Sequence, residues 1–174
     1  SFNVFYADGP PKRPVQEWML GTLGISEVVP PLVVPPDTVM KVETNFTVPQ
    51  DISLLTINPH MHLIGRSFKA WATTPSGEGI PLISIPKWDF RWQYFYTFPK
   101  MLKIPAGSVI YVDAEYDNTA TNANNPNNPP QEIRERLDNG GAGMRTTDEM
   151  LQLIISYLPY ETGDEHISLD NHSF

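Results

Sequence analysis

Between residues 38 and 47 the chain reads TVMKVETNFT, and its side chains sort into two sets with a period of two. Val39, Lys41, Glu43 and Asn45 share one side, while Met40, Val42, Thr44 and Phe46 share the other. Successive side chains of an extended segment point to opposite faces, so the pattern predicts a half-buried strand. VIYVDAEYDN (109–118) alternates in the same way, and ISLLTINPHMHLIG (52–65) and EMLQLIISYLPY (149–160) read as further strands. Pro59 demands an edge, a bulge or a bend in the second of these.

Turn chemistry separates the extended runs. FNVFYA (2–7) reads as a strand that stops at DGPPKRP, and VQEWMLGTLG (15–24) fits either a strand or a helical turn. RSFKAWATTP (66–75) stays extended up to PSGEG, a hairpin-type turn before IPLISIPKWDF (80–90). RWQYFYTF (91–98) is aromatic and β-favouring, and Pro105, Ala106 and Gly107 form a turn. TATNANNPNNPPQ (119–131) is an Asn/Pro-rich loop, and EIRERLDNGGAG (132–143) suits one helical turn. Many short strands with frequent turns predict an all-β fold, an antiparallel β-sandwich or jelly roll. The expected organisation is a closing strand or linker over 1–11, the sandwich over 12–160 and an exposed tail over 161–174.

Composition narrows the picture. Eighteen prolines in 174 residues are about twice the usual ~5% and oppose long helices. No apolar run approaches the roughly 20 residues of a spanning helix, so no direct membrane insertion is expected. With no initiator Met and no leader, the chain reads as processed or trimmed. Twenty acids against twelve bases, a formal charge of −8, disfavour a nucleic-acid partner. Cysteine is absent, which removes disulfides, thiolate catalysis and Cys-ligated metals. Asp113, Glu115 and Asp117 share a strand face and run into Asn118, Asn122, Asn124 and Asn125. They suit a solvated acidic face with an Asx-rich turn better than a Ca²⁺ site, since the EF-hand order is missing. No phosphate loop or nucleophile elbow is visible.

INPHMHLIGRSF (57–68) carries the candidate chemistry. Residues i and i+2 of a strand share a face, so His60 and His62 can converge on one ion while Met61 points into packing. Imidazole suits copper, zinc, iron and nickel. By itself the spacing favours two solvent-facing or hydrogen-bonded histidines over a metal pair. Of the other histidines, His166 and His172 lie in a polar tail. Met150 begins a strong strand. As a third ligand its soft thioether would favour Cu(I), whereas the commoner use of Met is core filling.

Three segments, PHMHLIGRSF (59–68), PKMLKIPAGSVIYVDAEYDN (99–118) and GGAGMRTTDEMLQLIISYLP (140–159), fall in a recognisable order. H-x-H-L-x-G followed far downstream by (D/E)-E-M resembles the C-terminal domain of the copper type II, ascorbate-dependent monooxygenases. That is the family of peptidylglycine α-hydroxylating monooxygenase and dopamine β-monooxygenase. The similarity covers roughly Phe2 to Pro159. HMHLIGRSF, KWDFRWQ, YDNTATNANNPNNPP and TTDEM look closer to bacterial versions, which stand at the C-terminus of larger exported redox proteins.

The resemblance implies a jelly-roll sandwich in which His60, His62 and Met150 are the catalytic ligands of one copper ion. It also implies oxidoreductase chemistry, O₂ activation for C–H hydroxylation, an external reductant such as ascorbate, and an extracytoplasmic (periplasmic or secreted) location. The family's paired cysteines fall at Ala114 and Leu151, so their disulfide is lost as a unit. Peptide-amidating members hold a substrate carboxylate with an Arg and a Tyr at positions that here are Asn58 and Ile154, with Gln152 between them replacing an Asn. Asn cannot reproduce a bidentate Arg clamp, so these substrate-side positions argue against peptidylglycine substrates.

Family members also carry a second, electron-transfer copper on a preceding domain, and the 174 residues hold no such histidine cluster. SFNVFYADGPP (1–11) resembles the closing strand of that domain. The expected partner is therefore a preceding copper or redox domain, or other subunits, without which the domain binds copper but turns over poorly. The alternative is a non-catalytic sandwich module of a larger assembly.

Overall fold

The computed structural model describes Tyr6, residues 9–136 and residues 145–170. Ten strands follow in chain order: β1 Gln16–Gly21, β2 Val33–Val34, β3 Thr38–Thr47, β4 Ile52–His60, β5 Gly65–Thr73, β6 Gly79–Ile85, β7 Tyr96–Ile104, β8 Val109–Asn118, β9 Ile133–Arg134 and β10 Gln152–Pro159. The only helical element among the described residues is a 3-10 turn at Asp164–His166. The all-β expectation holds.

Two four-stranded antiparallel sheets form the sandwich, one in the order β1-β10-β4-β7 and the other β3-β8-β5-β6. A small β2–β9 ladder joins two of the connections. Alternation explains the layering. In β3, Val42 and Thr44 are buried while Val39, Lys41, Glu43 and Asn45 face solvent. Leu20, Ile57, Leu153 and Ile155 of one sheet meet Val42, Phe68, Ala70 and Val112 of the other in the core. Each Val, Leu, Ile or Phe among these contributes about 1.5–3 kcal/mol by leaving water. Ala114 and Leu151 are also buried.

Three local expectations change. The run RWQYF (91–95) lies before β7 and is loop. The stretch beginning EIRER contains the strand β9, which pairs with β2, so a long-range ladder replaces the expected helical turn there. Residues 137–144 of that stretch, and most of the opening FNVFYA, lie outside the described residues. Finally, β4 is interior to its sheet, and its register shift falls at Leu55 rather than at Pro59. Pro59 is tolerated because pairing with β7 has ended at Ile57, so that edge needs no ladder donor there.

Residues 161–170 are mostly solvent-facing but docked. Asp164 is 4% exposed and accepts two bonds from the Arg13 guanidinium, at 2.9 and 2.7 Å, plus one from Ser53 Oγ at 2.5 Å. Residues 167–169 run along β7, with Met101 N donating to Ile167 O and Leu169 N to Pro99 O. In the Asn-rich loop, Asp117 closes an Asx turn onto Thr119. Asn118 is buried and donates to the carbonyls of Val34, Pro35 and Gln131. These side chains therefore hold the loop itself.

Candidate metal centre

The His pair straddles the end of β4. His60 is its last residue, and His62 lies in the connection to β5. Met61, between them, is fully buried. The imidazole centroids are 5.0 Å apart with planes at 85°. His60 is half-buried, whereas His62 is 5% exposed and has Phe90 against its ring, edge to face, at 5.9 Å.

Segment 148–152 brings the methionine to the same end of the sheet. Asp148 fixes the turn ahead of it by accepting from Arg145 N and pairing with Arg136. That turn presents the Asp148 carbonyl to His62 Nδ1 at 3.0 Å. Glu149 is fully buried and accepts the His62 N–H at 2.9 Å and the Ile64 N–H at 2.8 Å. The Met150 carbonyl accepts the hydroxyl of the buried Tyr116 at 2.7 Å. Two residues on, Gln152 stands opposite His60 in the β10–β4 ladder. The backbone around Met150, a residue 8% exposed, is thus brought beside the His60–His62 segment from about ninety residues away in the chain.

A second bracket comes from the loop between β6 and β7. Gln93 Oε1 lies 2.5 Å from His60 Nδ1, and Trp88 Nε1 donates to the His62 carbonyl at 3.1 Å. Each imidazole therefore spends Nδ1 on an acceptor, which leaves Nε2 as the nitrogen available to a ligand. Metal-bound histidines are held in this way by an outer partner at the other ring nitrogen. Burial lowers the affinity of both rings for a second proton. For His60, Gln93 opposes that shift and His62 adds to it. For His62, the carbonyls of Asp148 and Arg145 and the Asp148 charge oppose it. Both rings are neutral near pH 7, the form that binds metals. Burial also pushes the Glu149 carboxyl up to about 8, against the pull of the His62, Ile64 and Met150 amides.

The two imidazoles, each with an outer partner at Nδ1, could offer Nε2 to an ion. Among the described residues no group of three or more His, Cys, Asp or Glu side chains could hold a metal, so a third ligand drawn from the described residues would be of another type. Met150 is the candidate of that type.

The substrate-side positions divide. Asn58 and Ile154 are direct cross-strand partners, both half-buried, and Met19 follows Ile154 on the far side. Asn58 Nδ2 donates to the Tyr94 carbonyl at 2.9 Å. Gln152, in contrast, is 6% exposed and its Nε2 is bonded to the Thr22 carbonyl at 2.6 Å, so it braces β1 rather than facing a substrate. The loop also exposes Trp92, Tyr94 and Phe95, at 64%, 52% and 61%. Gln93, Trp88 and the Asp148 carbonyl are partners of the His pair that no local pattern announces. No protein-family model matches this sequence, and a comparison with curated proteins gives no match either.

Proposed function

We propose that His60, His62 and Met150 hold a single copper ion, favoured as Cu(I), and that the chain is the copper-binding domain of a monooxygenase-like protein. One observation carries the reading. Two neutral imidazoles, 5.0 Å apart, each have Nδ1 committed to an outer acceptor at the place where Met150 arrives. Thiolate is absent from the chain, and thioether with imidazole selects cuprous copper over harder ions. Copper bound there supplies one-electron redox chemistry and activation of O₂ for hydroxylation of a C–H bond. A single copper supplies one electron, so turnover requires a partner domain or subunit and an ascorbate-type reductant. Beside the site, Asn58 and Ile154 offer no cation to a carboxylate, which favours a substrate without an anionic anchor. An extracytoplasmic setting belongs to the same reading and rests on the sequence resemblance.

Copper titration tests the proposal. Wild type should take up one equivalent of Cu(I), and a His60→Ala, His62→Ala double variant should not. Met150→Leu should weaken Cu(I) binding more than Cu(II) binding. Equal uptake by wild type and the double variant sinks the metal reading, and equal effects on the two oxidation states remove Met150 from the site.

A second reading has its own support. Three large aromatics exposed within the stretch 92–95 are the kind of apolar patch that marks contact with another protein. A sandwich module that binds its neighbours through this loop without turnover would leave the copper titration flat.

A further inference from the structure

The loop residue Gln93 controls more than loop shape. Its Nε2 donates to the Phe90 carbonyl at 2.6 Å. A carbonyl only accepts, so this bond fixes which end of the amide faces the histidine. Oε1, also only an acceptor, then lies 2.5 Å from His60 Nδ1, and Nδ1 must carry the hydrogen. A neutral imidazole has one N–H, so His60 Nε2 is left with a lone pair. Free in water, the neutral ring prefers the opposite arrangement. His62 is set by a separate device, the Asp148 backbone carbonyl, which no side-chain replacement removes. The Gln93 loop is tied to β4 a second time through the bond from Asn58 to Tyr94.

We infer that Gln93 is a positioning residue, which selects the tautomer of His60 that presents Nε2 to a metal. The inference deepens the copper reading and rests on it for its consequence, while the tautomer itself is a property of the metal-free protein.

The test uses metal-free protein with ¹⁵N-labelled histidine and long-range ¹H–¹⁵N correlation spectra. In wild type both His60 and His62 should carry hydrogen on Nδ1. Gln93→Leu should move His60 largely to the Nε2–H form and leave His62 unchanged, which also shows that the fold survives. Gln93→Glu retains an acceptor and should restore Nδ1–H at His60. Cu(I) affinity, read by competition with a chromophoric chelator, should fall about tenfold in Gln93→Leu and recover in Gln93→Glu. An Nε2–H signal for His60 in wild type, or no change in Gln93→Leu, overturns the inference. So does a tautomer switch that leaves wild-type copper affinity intact. If wild type binds no copper but the tautomer responds to Gln93, the copper reading fails and the control of His60 by Gln93 stands.

Discussion

Trp88 packs against Gly65 so closely that a β-carbon on the glycine would sit 2.8 Å from Trp88 Cδ1. The same point would be 2.9 Å from Met61 Cε, so two buried side chains compete for that space. Because the Trp88 indole also holds the His62 carbonyl, the contact bears on the His pair as well as on the core. Gly65→Ala should cost about 1–3 kcal/mol by overpacking and lower Cu(I) affinity together with stability. Urea unfolding and copper competition check this, and an unperturbed variant would mean that Trp88 does not need its position.

Glu149 gives the β4–β5 connection its only side-chain acceptor for the His62 and Ile64 amides. Glu149→Ala would strand both N–H groups in a buried setting, at about 1–3 kcal/mol each. Glu149→Gln keeps one acceptor and should fall between wild type and Ala. Amide hydrogen exchange at His62 and Ile64 reads the effect directly; unchanged protection in the Ala variant would contradict it.

Asp164 predicts an acid-sensitive clasp. Its bonds from Arg13, above all, and from Ser53 and the Glu161 amide hold the carboxyl well below the usual carboxylate range. A depressed folded value means that the unfolded chain takes up the proton first. The contribution is therefore complete above the ordinary Asp range and is lost as pH falls below it. Asp164→Asn should remain less stable than wild type at pH 7, by about 2–4 kcal/mol, and the gap should narrow toward pH 2–3. A gap that stays constant from pH 7 to pH 3 would remove Asp164 from the acid response.

Asn118 is the hub of the Asn-rich loop, with three backbone carbonyls on one amide nitrogen. Asn118→Asp replaces that donor by a carboxylate facing carbonyls and should destabilise by about 2–4 kcal/mol. Chemical denaturation checks the magnitude. An Asp variant as stable as wild type would show that the loop holds itself by other means.

The sequence made the sandwich readable wherever one face of a strand is wet. In β3 the exposed Lys41, Glu43 and Asn45 alternate with Val42 and Thr44, and the period is visible by eye. It misled where side-chain bonds outcompete β propensity. The run at 91–95 is aromatic, yet Gln93 and the Tyr94 carbonyl are taken by His60 and Asn58. It also misled at β9, whose two residues are strand because Val33 and Val34 lie opposite. His60 and His62 were legible as a pair because their spacing is local. Gln93, Trp88 and the Asp148 carbonyl reach the pair from 26 to 86 residues away. A lone glutamine among aromatics carries no sign of the ring it will face.

The strand order has a consequence for the growing chain. β10 lies between β1 and β4, so a segment made well after both must slot between them before Met150 can reach the end of the sheet that carries the histidines. On the proposed copper reading, a chain released short of β10 would carry both imidazoles but lack the sulfur that tips the choice from zinc or nickel toward copper. On that reading, discrimination among metals is a late-acquired property, gained only when β10 enters the sheet.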